Sequence, residues 1–150
     1  MIKYLDKAIV LQEVPDEITL ALEITNCPHK CKNCHSPHLR EDIGVELTDK
    51  ELELLIKSVP DISCICLMGG DNEHKDIIRI ANIVHKHNLK LAFYSGDDDL
   101  DWDILPYLDY YKVGPYIEEK GPLNDKNTNQ RMYKITEGHI IETITEKFWK

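Results

Sequence analysis

"ISCICLM" (residues 62–68) holds one polar residue, Ser63, in seven positions. A continuous apolar run of this length leaves neither face for water, so it reads as a strand buried on both sides, as in parallel sheets covered by helices. Gly69 and Gly70 end the run in a turn. Just upstream, Thr48 and Glu51 form the T-x-x-E pattern of a capping box, in which two side chains satisfy free amides at a helix start. Leu52, Leu55, Ile56 and Val59 then recur at helical spacing until Pro60 stops them. Downstream, a second helix is predicted from about Asn72 to His87, with Ile77, Ala81 and Val84 on one face.

Further out, "EITLALEIT" (17–25) and "LKLAFYSG" (89–96) read as strands on either side of this unit. Alternating strands and helices predict an α/β fold, a parallel sheet with covering helices. An acidic loop (97–103) leads through a short helix into "YYKVG" (110–114), and "RMYKITEGHIIETI" (131–144) predicts a C-terminal β-hairpin turning at Glu137-Gly138. Repeats and inter-domain linkers are absent from the sequence, so residues 1–150 are read as a single domain. In open α/β sheets ligands gather at the carboxyl ends of the strands. The segments after residue 25, at Gly69-Gly70 and at Ser95-Gly96 should therefore share one edge.

Composition narrows the function. The net charge of −9 argues against a nucleic-acid partner, which requires basic surface to displace counterions. A membrane is not expected either, because no long apolar run is present, and without a charged-then-apolar leader the expected location is cytoplasmic. Five cysteines is an odd number for a disulfide framework, and three of them fall within "CPHKCKNCHSPHL" (27–39) as C-x3-C-x2-C. In a reducing compartment clustered thiols are more naturally ligands than bridges.

Two metal readings fit the triplet. A structural zinc site is closed by four ligands, and His29, His35 or His38 would supply the fourth. Such sites usually tie two chain segments together, whereas this one is a single short loop. A [4Fe–4S] cluster held by three cysteines leaves one iron open for chemistry. The spacing favours the cluster.

C-x3-C-x2-C resembles the radical S-adenosylmethionine (SAM) superfamily, and "MGGD" (68–71) resembles its Gly-Gly-Glu/Asp turn. "QEVPDEITLALEITNCPHKCKNCHSPHL", "KVGPYIEEKGPL" and "TNQRMY" extend the likeness over nearly the whole chain, to the activating proteins of anaerobic ribonucleoside-triphosphate reductases. The resemblance implies a short, incomplete radical SAM-type (β/α) barrel. It implies that Cys27, Cys31 and Cys34 ligate a [4Fe–4S] cluster whose fourth iron is bound by SAM. Asn33, Cys34, His35, Gly69, Gly70, Asp71 and Ser95 would contact SAM. The implied activity is reductive cleavage of SAM to methionine and a 5′-deoxyadenosyl radical, which makes a glycyl radical on the reductase's catalytic subunit. A low-potential donor such as flavodoxin or ferredoxin would supply the electron. No further catalytic side chain is implied beyond the cluster. One departure stands out: the position before the third cysteine is often aromatic in the superfamily and packs beside adenine, and here it is Asn33.

Other functions compete: a radical SAM enzyme for another glycyl-radical enzyme or a small molecule, and a non-catalytic zinc-binding interaction module. Cys64 and Cys66 alternate on a buried strand and read as small core residues. Gly69-Gly70-Asp71 taken alone is an ordinary strand-to-helix turn, and Ser95 an ordinary turn residue. His85 and His87 suit a helix end. "DDDLDWD" (97–103) reads as a solvated loop, or as a partner face anchored by Trp102. Closing an eight-stranded barrel usually takes about 250 residues. A chain of 150 should therefore leave one side open, which suits a macromolecular substrate.

Overall fold

A computed structural model describes residues 2–10, 14, 17–25, 44–69, 73–96, 100–114, 119–120, 128–136 and 140–145. Eight strands and two helices are found among them: β1 (Lys3–Val10), β2 (Thr19–Ile24), β3 (Val45–Glu46), α1 (Asp49–Ser58), β4 (Cys64–Met68), α2 (His74–Lys86), β5 (Lys90–Tyr94), β6 (Tyr110–Val113), β7 (Arg131–Thr136) and β8 (Ile140–Thr143). A 3₁₀ turn (Leu105–Tyr107) precedes β6. The strands form one sheet in the order β3-β1-β2-β4-β5-β6-β7-β8.

The centre of the sheet, β2-β4-β5-β6, is parallel, as the apolar run at 62–68 predicts. The flanks are not: β3, β1 and β2 pair antiparallel on one side, and β6, β7 and β8 on the other. The expectation of a parallel sheet is thus corrected to a mixed one. Parallel neighbours need a long crossover, whereas the short link from β7 to β8 permits only antiparallel pairing. The sheet is open, with β3 and β8 at its edges among the described residues.

Both helices cover one face. Leu20, Leu22, Ile24, Ile65, Leu67, Leu91, Phe93 and Tyr111 alternate toward Leu52, Leu55, Ile56, Ile77, Ile80, Ala81 and Val84 in one apolar core. Phe93 and Tyr111 meet as tilted rings with centroids 5.6 Å apart, which adds directional packing to simple burial. The remaining strand positions face the other way, where Ala21, Cys64, Cys66, Ala92 and Tyr110 pack with Val14, Met132 and Ile144.

Helix α1 begins as predicted: the Thr48 hydroxyl accepts the Glu51 amide at 3.1 Å. The Glu51 carboxylate accepts the Tyr4 hydroxyl at 3.0 Å, tying the helix start to β1. Burial, then the Glu51 hydrogen bond and charge, raise the Tyr4 pKa above its ordinary value. At the far end of α2, His85 Nε2 meets Asp109 Oδ2 at 2.8 Å and His87 Nε2 meets Glu53 Oε2 at 2.7 Å. Asp109 Oδ2 also accepts the Leu91 amide at 2.8 Å, so His85 knits the helix end to the sheet, while His87 ties it to α1.

Candidate cofactor site

The four parallel strands end level with one another. Glu23, Met68, Tyr94 and Lys112 are register partners in sequence across β2, β4, β5 and β6. Backbone bonds carry the pairing past the strand ends: Gly69 donates to the Tyr94 carbonyl at 3.1 Å, and Ser95 to the Lys112 carbonyl at 2.8 Å. Beyond β2, the Thr25 amide donates to the Lys3 carbonyl of β1 at 3.0 Å. Thr25, Gly69, Ser95 and Gly114 therefore share the carboxyl edge, as expected from the order of the elements.

Gly69 is the residue this edge requires most clearly. Its φ is +114°, and a Cβ there would stand 3.2 Å from the Ile24 carbonyl oxygen and 3.4 Å from the Ile24 Cβ. Only glycine takes that backbone conformation readily. The turn out of β4 thus passes against the last residue of β2, the strand that leads within three residues to Cys27. A bare backbone at that point suits a ligand that must approach main-chain carbonyls.

Ser95 lies on the same edge and is enclosed, 1% exposed. Gly70 and Asp71 lie outside the described residues, as do Cys27, Cys31, Asn33, Cys34 and His35, so of the expected site the structure brings together Gly69 and Ser95. The loop histidines His29 and His38 are outside as well.

Gly114 and the 128–131 segment turn out to be partners. The Gln130 side-chain amide donates to the Gly114 carbonyl at 3.2 Å, and a Cβ on Gly114 (φ +109°) would stand 3.0 Å from the Gln130 Cα. The Thr128 hydroxyl accepts the Gln130 amide at 3.0 Å, and Arg131 donates to the Thr128 and Gln130 carbonyls, each at 2.8 Å. These two sequence signatures thus form one interlocked corner beside the end of β6.

Cys64 and Cys66 are both fully buried on the face away from the helices. Burial, and then the negative charge of Glu17, push the Cys64 thiol up to about 12. A thiol so rarely ionised is neither a nucleophile nor a ready metal ligand.

Sequence reasoning missed two polar groups. Glu17, 8% exposed, accepts from Ser63 Oγ at 2.7 Å, Tyr110 OH at 2.8 Å and Lys90 Nζ at 2.9 Å. Burial works to raise its pKa, but the bonds from Lys90, Ser63 and Tyr110 outweigh it and hold the carboxyl below its ordinary value. This network sits at the amino ends of the strands, opposite the candidate site, and serves the sheet. The second group is His74, Asp101 and Asp103, whose donor atoms lie within 4.8 Å of one another. His74 Nε2 and Asp101 Oδ2 already meet there at 2.7 Å. The acidic run was the available signal for it, but nothing in the sequence links that run to His74.

No family model, curated protein or solved structure matches the chain. Among the described residues no helix is long and apolar enough to cross a membrane.

Proposed function

We propose that the protein is a radical SAM activase that makes a glycyl radical on the catalytic subunit of an anaerobic ribonucleoside-triphosphate reductase. The observation that carries the reading is the contact at Gly69: the start of the Gly-Gly-Asp turn abuts the end of the strand that leads to C-x3-C-x2-C. In this reading Cys27, Cys31 and Cys34 hold a [4Fe–4S] cluster, and Gly69, Gly70, Asp71 and Ser95, with Asn33 and His35, contact SAM. Such a cluster, reduced by a donor such as flavodoxin or ferredoxin, would supply the one-electron chemistry that cleaves SAM to methionine and a 5′-deoxyadenosyl radical, which would take hydrogen from a glycine of the partner.

The chain's own part is to bind, orient and shield. Gly69 keeps side-chain atoms away from the ligand's approach. The open sheet fits the same proposal, a short incomplete barrel that leaves room for a macromolecular glycine loop. A cytoplasmic location goes with it, since reduced thiols persist there.

Anaerobic purification tests this directly. Brown protein containing iron and sulfide, which releases 5′-deoxyadenosine from SAM on reduction and raises a glycyl radical signal on the co-purified reductase subunit, is the expected outcome. Colourless protein containing zinc sinks the proposal in favour of an interaction module. SAM cleavage without a radical on that subunit moves the activity to another glycyl-radical enzyme or a small molecule.

A further inference from the structure

On the sheet face turned from the helices, the register sorts side chains into levels. Ala21, Cys66, Ala92 and Tyr110 form a middle level, each at most 5% exposed. Glu23, Met68, Tyr94 and Lys112 form the next level toward the carboxyl edge, and all four are half-buried. The face is therefore sealed below and opens one level beneath Gly69 and Ser95. These four residues are the floor of the candidate site, and none of them is part of the set implied by the cysteine motif.

The floor has a direction. A carboxylate stands on β2, the strand that leads in sequence to Cys27, and an ammonium on β6, three strand spacings or roughly 14 Å away. Between them lie a thioether and a phenol ring. The Lys112 Nζ is held 5.4 Å from the centroid of the Tyr94 ring, close enough for a cation–π contact. The Tyr94 hydroxyl is enclosed, which leaves the ring to supply that residue's exposed surface.

We propose that Tyr94, with Lys112 beside it, seats the nucleoside end of the ligand. The inference rests on the SAM reading above and adds to it the residues that recognise adenosine. A flat base stacks on an aromatic ring whatever its sequence context, and a lysine brings three donors to ring nitrogens or ribose hydroxyls. Met68, register partner of Tyr94, adds a polarisable sulfur to the same surface. The charge order agrees: the methionine end of SAM, with its sulfonium, ammonium and carboxylate, is net positive and is set toward Glu23, while its uncharged base is set toward Tyr94 and Lys112.

Equilibrium binding to the anaerobically reconstituted protein tests this with three probes: SAM, L-methionine, which lacks the nucleoside, and 5′-deoxyadenosine, which lacks the amino acid. Tyr94→Leu should weaken SAM and 5′-deoxyadenosine by about tenfold and leave methionine unchanged. Tyr94→Phe should restore binding to within about twofold of wild type, because the ring is what acts. Lys112→Met should weaken the two nucleoside probes by about threefold. Circular dichroism and melting curves check that each variant folds, and Lys112→Met carries the test if Tyr94→Leu does not. Unchanged nucleoside affinity in both variants, or equal losses for methionine and SAM, overturns the assignment while the SAM reading survives. Wild-type protein that binds no SAM overturns both.

Discussion

Gly69 and Gly114 make parallel demands at two points of the candidate edge, after β4 and after β6. Each has a positive φ, and at each a Cβ would press on backbone: the Ile24 carbonyl for Gly69, the Gln130 Cα for Gly114. Holding a non-glycine residue in such a conformation costs about 1–3 kcal/mol. Gly69→Ala is expected to lower stability by that amount in chemical denaturation. It should also depress SAM affinity by more than Gly114→Ala does, because only Gly69 borders the strand leading to the cysteines. Equal SAM affinities in the two variants would count against a ligand at Gly69. At the same scale, Cys27→Ala, Cys31→Ala and Cys34→Ala should each abolish iron incorporation, measured by metal analysis, whereas Cys64→Ala and Cys66→Ala should retain it. Thiol titration separates the groups too: Cys64 and Cys66 should stay unmodified in native protein and react only in denaturant.

Among the elements, those with a clear period were legible. Thr48 capped the predicted helix, and the apolar run at 62–68 became β4, with Cys64 and Cys66 on one face and Ile65 and Leu67 on the other. Strand β1 gave no such signal. Its register shifts between Tyr4 and Asp6, and Leu5 through Ile9 are exposed, so no alternation survives to be read. The site was legible as an edge, through Gly69 and Ser95, but its floor was not. Tyr94 and Lys112 are 18 positions apart, and only the register of β5 with β6 makes them neighbours. Glu17 was hidden likewise, since its partners come from Ser63, Lys90 and Tyr110. Glu17→Ala is expected to cost about 1–3 kcal/mol, the usual loss when buried donors are left without their acceptor. Its lowered pKa makes that contribution fully present above the ordinary carboxylate range and lost as pH falls through the folded value. Lys90, raised first by its bond to Glu17, contributes at neutral pH and is lost only as pH rises past its own folded value. Stability of the wild type should therefore fall more steeply in acid than that of Glu17→Gln, a difference that denaturation at stepped pH measures.

Among the described residues, an apolar core runs from Ile2 and Tyr4 through both helices to Ile135. A core of that extent, formed by the described residues alone, is expected to hold the fold together without metal. Protein treated with an iron chelator should keep its far-UV circular dichroism and still melt in one cooperative transition. Loss of secondary structure on iron removal would point instead to a structural metal of the zinc-finger kind.

The bond from the Thr25 amide to the Lys3 carbonyl makes β1 a latch for the base of the cysteine segment. On its outer side, among the described residues, β1 is backed by the two-residue strand β3. Its exposed stretch, Leu5 to Ile9, frays readily, whereas the latch end is anchored by Ile2 and Tyr4 in the core. If the cysteines hold a group, its lifetime is expected to follow the opening of this anchored end of the first strand rather than the fraying of the exposed one. Amide exchange at Thr25 is the clock to read, and its rate against that of Leu67 would give the shelf life of the assembled site.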